Sequence, residues 1–200
     1  MNIVPILGKY YYIYAFILYK VKKINLFMKR LVLIPAALLL LVAISSFRFA
    51  DSWMKYSSSE GHYSISFPGK PEESTQDDKT DDGTPFKIHF ASFSPTDDEV
   101  YMAGWIDMTN FYPKDKDLKT VLEDSRDGAA GSMKAKVTST TTNLNNNPYI
   151  EFTFETESFV GKDRIYVINK FQYSIITIFS TKTGISAKAD KFIGSFTYSK

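Results

Sequence analysis

The chain reads as an α+β protein: an antiparallel β-sheet of about six to eight strands covered by two main helices, preceded by a hydrophobic N-terminal segment. Three observations predict this. Tyr63-Ser64-Ile65-Ser66-Phe67, Phe86-Lys87-Ile88-His89-Phe90 and Ile150-Glu151-Phe152-Thr153-Phe154 alternate apolar and polar residues, the period of a half-buried strand. Phe and Tyr make up most of a 16% aromatic share, which suits strands better than a helical bundle. Two later stretches keep a helical period instead, and each follows a run of strands.

The formal charge of +2 hides an asymmetry. Residues 1–50 hold seven bases and no acid, so residues 51–200 hold the other 17 bases and all 22 acids, a net charge of −5. A net acidic folded part is poorly suited to nucleic acid, whose phosphates are bound by Lys and Arg. The absence of Cys excludes disulfides, thiolate metal sites, a Cys nucleophile and a lipidated N-terminal Cys.

Met28-Lys29-Arg30 followed by Leu31 to Ser46 has the charged start, apolar middle and small-residue end of a signal peptide, with a cleavage site after Ser45. The uncharged run from Leu31 to Phe47 also reaches the lower limit of a spanning helix. Residues 28–50 are therefore read as a signal peptide or a membrane anchor. The first reading exports the protein to the periplasm or cell exterior; the second anchors it in the inner membrane through residues 31–47. Residues 1–27, aromatic and basic, read as an upstream extension before a start at Met28. Residues 51–61 are a polar linker, and 62–200 form a single α+β domain with no internal linker.

The domain opens with His62 to Pro71, a strand stopped by Pro68-Gly69. Glu72 to Thr80 is a polar edge strand, and Asp82-Gly83 a hairpin signal. The strand through Phe86, Ile88 and Phe90 follows, ending near Pro95. Val100 to Thr109 carries Val100, Met102, Ile106 and Met108 on one face and Tyr101, Ala103 and Trp105 on the other, which requires cover on both sides. Asp115 or Asp117 caps a helix running to about Lys136 through Leu118, Val121, Leu122, Ser125, Ala129 and Met133. A Thr-rich strand, the Ile150 strand, a turn at Gly161-Lys162-Asp163 and two further strands lead to a last helix, capped by Ser186 and striped by Ala189, Phe192, Ile193 and Phe196.

This order, with Glu60-Gly61-His62-Tyr63-Ser64-Ile65-Ser66-Phe67-Pro68-Gly69-Lys70-Pro71 at its head and Phe192-Ile193-Gly194-Ser195-Phe196 at its tail, resembles the PsbP-like families and their bacterial envelope relatives such as DcrB. These share a fold with the Ran-binding Mog protein. The resemblance implies an α/β/α sandwich and a non-catalytic role in binding or assembly, and it carries no catalytic residue across.

Among the residues themselves, His62 and His89 are the only histidines, both at polar positions, and nothing around them has metal-ligand spacing. No Gly-x-Ser-x-Gly, phosphate-binding Gly loop or His-Glu-x-x-His occurs, so no catalytic residue, metal site or cofactor is expected. The acids at 77, 78, 81 and 82 and at 97–99 would gather Ca²⁺ only if two loops met; solvated turns are the simpler reading. Glu151, Glu155 and Glu157 keep a sheet face soluble. Trp105, Tyr101 and Tyr112, with Trp53 and Phe111, are the candidates for a partner-binding groove, against core packing of the same rings. Two functional readings follow. One is an exported, non-catalytic envelope module that binds another envelope protein or assists assembly, touching the membrane only through an uncleaved N-terminal segment. The other is a small-ligand carrier or hydrolase-like enzyme whose pocket, between sheet and helix, holds His89 and neighbouring acids.

Overall fold

A computed structural model describes residues 53–80 and 82–199. The extension at 1–27 and the signal or anchor at 28–50 lie outside the described residues. Among the described residues, no helix is long and apolar enough to cross a membrane.

The chain is α+β, as its periodicities predict, but its strands form two antiparallel sheets. In chain order the strands are β1 (Met54–Ser58), β2 (Tyr63–Phe67), β3 (Glu72–Lys79), β4 (Pro85–Thr96) and β5 (Glu99–Asp107). Helix α1 (Leu118–Met133) follows, then β6 (Lys136–Asn143), β7 (Tyr149–Glu155), β8 (Phe159–Ile168), β9 (Phe171–Ser180), helix α2 (Lys188–Gly194) and β10 (Thr197–Tyr198). Seven strands make the main sheet in the order β3-β4-β5-β9-β8-β7-β6, and β1-β2-β10 make a small second one.

The second sheet corrects two expectations. The 51–61 stretch, read as a polar linker, contains β1, and the strand at Tyr63 to Phe67 pairs with β1 and β10 and not with the main sheet. The pattern of β1 gives little sign of this, because only Tyr56 and Ser58 in it are even half-buried. What holds it is its neighbour: Tyr56 packs 6.0 Å, centroid to centroid, from both Tyr63 and Phe67 of β2.

The two faces of β5 are both buried, as its pattern requires. Val100, Met102 and Ile106 face α1, in one core with Val121, Leu122, Ala129 and Met133. Tyr101, Ala103 and Trp105 face the small sheet and α2, in a second core with Tyr63, Phe67 and Phe192. Phe192, fully buried, lies 4.9 Å from Phe67 and 5.4 Å from Tyr101, contacts worth about 0.5–1.5 kcal/mol each beyond their area.

Asp117 caps α1, its carboxylate accepting the Thr120 N–H at 2.9 Å. The helix stops at Met133, short of Lys136, because Lys134 turns left-handed (φ 51°) and the Ala135 N–H donates back to Ala130 at 2.9 Å. Phe196, expected on the stripe of the last helix, lies beyond its end and stacks 4.5 Å from Tyr166. Gly161-Lys162-Asp163, read as a turn, lies inside β8. The glycine is there for space: a Cβ at Gly161 would collide with the Phe154 ring and the Thr177 carbonyl. Glu151, read as a solvating acid, is ion-paired with Arg164 at 2.5 Å and lies 3.7 Å from Lys162, which reaches Asp190 of α2 at 2.6 Å.

Candidate functional site

Register builds a polar hollow on the main sheet. Thr75 of β3 is the partner of His89 on β4, and His89 is the partner of Trp105 on β5. Because partners across a sheet share a face, the three side chains form a row. The His89 ring stacks on the Trp105 indole with centroids 4.1 Å apart and planes 5° from parallel, and its Nδ1 lies 3.2 Å from the Thr75 hydroxyl. The row continues through Tyr173, Tyr166 and Tyr149 across β9, β8 and β7. The small sheet covers its middle, and His89 marks where the cover ends.

The lip of that cover is the β1–β2 turn. Its Gly61 N–H donates to the Ser58 hydroxyl at 2.9 Å, and the Gly61 carbonyl accepts the buried Tyr173 hydroxyl at 2.9 Å. A Cβ on Gly61 would stand 2.7 Å from the Trp105 indole nitrogen, so only glycine lets the turn come down onto the ring. Between this turn, β3 and β4 opens a cleft of about 390 Å³ lined by Tyr56, Glu60, Glu73, Thr75, His89 and Trp105, with serine hydroxyls around them.

The electrostatics of the cleft are acidic. Burial holds the His89 imidazole below its ordinary value, against the opposing pull of the Glu60 carboxylate. Burial and the nearby Glu73 charge raise the Tyr56 phenol. Burial raises Tyr63 further. The two phenols thus stay neutral at neutral pH. His89 is bonded to a neutral hydroxyl and clamped against an indole, an arrangement that fixes the ring in place.

The aromatics expected to share a groove are not brought together. Tyr101 is fully buried and Trp105 is 8% exposed, both beneath the small sheet, whereas Tyr112 and Phe111 pack on the opposite face of the main sheet, with Phe111 5.1 Å from Phe86. These four rings, close in sequence, are divided by the sheet. Trp53 lies on the α2 side, with the Lys191 ammonium 4.3 Å from its ring centroid. His62 is exposed and meets Phe171 edge-on at 5.7 Å, apart from His89. Asp77 and Asp78 lie on β3 and Asp82 in the turn that follows it, whereas Asp97 and Asp98 lie in the turn at the other end of the 12-residue β4, roughly 35–40 Å from the first turn at strand rise. Among the described residues, no group of three or more acids and histidines converges on a common point. Glu60, Glu73 and Thr75 were not singled out from sequence; the signal for Thr75 was its place on the edge strand opposite His89.

The pocket expected between sheet and helix is thus a cleft between two sheets. Neither a scan against protein-family models nor a search of curated proteins finds a match to this chain. Among solved structures, the chain aligns with the solution structure of cyanobacterial PsbP (CyanoP) from Synechocystis sp. PCC 6803 at a TM-score of 0.51 and 10% identity, over 74% of this chain and 93% of that one. At that identity the likeness is one of fold, and the fold of this chain is PsbP-like.

Proposed function

We propose that this chain is an exported, non-catalytic module of the cell envelope that binds another protein, and that the cleft at the β1–β2 turn is where it does so. The observation that carries the reading is the pair Glu60 and Glu73. Among the described residues neither is ion-paired with a lysine or arginine, although Glu151, Glu155 and Asp190 on the same molecule all are. Two unneutralised carboxylates at the rim of a cleft beside an edge strand suit a basic side chain on a partner. Export is supported by the signal-like pattern of residues 28–50, and kinship with DcrB-like envelope proteins and the Mog fold belongs to the same proposal.

A photo-crosslinking residue placed at the exposed Ser59 tests this in the source cells, with Asp127 on α1 as the control position. A protein adduct of one mass at Ser59, missing at Asp127 and lost in Glu73→Lys, is the expected result. Equal labelling at the two positions, or none at Ser59, would refute the reading. The hydrogen bond between Thr75 and His89 beside the Glu60 charge favours a second one, a small-ligand carrier or hydrolase-like site in the same cleft. That reading requires a bound small molecule in the mass spectrum of the native protein, or an esterase activity lost in Thr75→Ala.

A further inference from the structure

The two ends of the main sheet are built differently. At one end β3 carries Glu72, Glu73, Asp77 and Asp78, so two copies meeting there would set carboxylates against carboxylates. At the other end β6 reads Lys136-Val137-Thr138-Ser139-Thr140-Thr141-Thr142-Asn143, and no charged residue or proline occurs from Val137 to Asn147. Its one charge, Lys136, is taken up by Glu155 at 3.4 Å. Residues 138–142 are all exposed, and among the described residues β6 pairs with β7 alone. Exposed sheet edges in native proteins are blunted by charge, proline or a bulge. Here the only such device is the bulge between Val137 and Ser139, at the start of the strand, which leaves Ser139 to Asn143 regular.

From this we infer that β6 is the contact through which two copies of this chain associate, pairing antiparallel about a two-fold axis near Thr141. The occupant is a second copy for two reasons. An antiparallel edge is self-complementary under a two-fold axis, so identical backbones satisfy each other's free N–H and C=O groups. And in a folded part of net charge −5 (17 bases, 22 acids), this neutral edge is where two copies approach without opposing carboxylates. Leu144, one of three exposed large hydrophobic residues among the described residues, follows the strand directly. With Thr141 on the axis, it lies opposite Thr138 of the second copy. The two seven-stranded sheets then run on as one. This contact lies at the far edge from the cleft and stands independently of it.

The absence of cysteine makes the test specific, because an introduced thiol pairs only with another molecule. Single substitutions Ser139→Cys through Asn143→Cys are made in the full chain, oxidised in whole cells with copper phenanthroline and run on non-reducing gels, with Thr75→Cys on β3 as control. Residues directly opposite across an antiparallel pair lie within disulfide reach. The expected result is a band at twice the reduced mass at one or two of the five positions and none at Thr75→Cys. Adding Thr140→Lys with Thr142→Lys should cut that band roughly tenfold, by facing like charges across the axis. Three outcomes would overturn the inference: no doubled band at any position, a doubled band indifferent to the lysines, or a band of another mass, which would place a different protein on the edge.

Discussion

Replacing Gly161 with alanine adds one methyl group in the middle of β8, where it would fall against the Phe154 ring and the Thr177 carbonyl. Neither neighbour has room to retreat. Phe154 is 1% exposed, and the Thr177 carbonyl belongs to β9, which pairs with β8 over the strand's full length. Overpacking of this kind costs roughly 1–3 kcal/mol. The stiffer unfolded chain that alanine brings offsets roughly 0.4–1 kcal/mol of it. The net loss is about 1–2 kcal/mol, or a fall of roughly 2–8 °C in Tm for a domain of this size. Thermal unfolding followed by circular dichroism measures it, with Gly131→Ala as control: Gly131 is near the end of α1, and a Cβ there meets nothing within 4 Å. That control should gain roughly 0.5–1 kcal/mol from helix propensity. Phe154→Leu combined with Gly161→Ala should lose less than the two separately, since the smaller side chain frees the space. If Gly161→Ala is as stable as the parent, or moves with Gly131→Ala, space is not why a glycine stands in this strand.

Three further outcomes are expected. Phe192→Ala, which empties the contact between α2, Phe67 and Tyr101, should lower stability by roughly 3–5 kcal/mol in urea unfolding, and a loss under 1 kcal/mol would mean that α2 is not seated on the second core. Asp117→Ala removes the side-chain acceptor for the Thr120 N–H and should cost roughly 0.5–2 kcal/mol, with Asp117→Asn largely restoring it. His89 has a folded-state value below its ordinary 6.5, so at neutral pH both states are uncharged; as the pH falls through 6.5 the unfolded chain takes up a proton first. Stability should therefore drop between pH 7.5 and 5.5, and His89→Gln should flatten that drop; an identical pH profile in the variant would show that the ring is as free as in the unfolded chain.

Local pattern was enough where an element's own residues face one core. The alternation of Tyr63, Ile65 and Phe67, the double-sided burial of β5 and the Asp117 cap each depend on neighbours within a turn or a pleat, and each stands where the sequence puts it. It failed where the reason for a residue lies on another strand. Gly161 beside a lysine and an aspartate has the composition of a turn, and only Phe154, which fills the space above it, makes it a strand residue. The β1 strand is polar because its stability comes from Tyr63 and Phe67 across the small sheet.

The candidate site is of the second kind throughout. Thr75, His89 and Trp105 are 14 and 16 residues apart in the chain, and no spacing rule links them; the registers of two hairpins do. The β3–β4 hairpin turns at Gly83 (φ 89°) and the β4–β5 hairpin at Asp97-Asp98, so a one-residue change in either turn would slide the neighbouring strand and send its side chains to the other face. The stacking of His89 on Trp105 is therefore a consequence of turn lengths as much as of the two residues themselves. The same logic keeps the candidate groove aromatics apart. Tyr101 and Trp105 have equal parity on β5 and go together to the small-sheet side. Phe111 and Tyr112 follow the strand's end and return to the α1 side beside Phe86. A sheet buried on both faces sorts neighbouring rings into separate cores, and it leaves a polar row open where one cover stops.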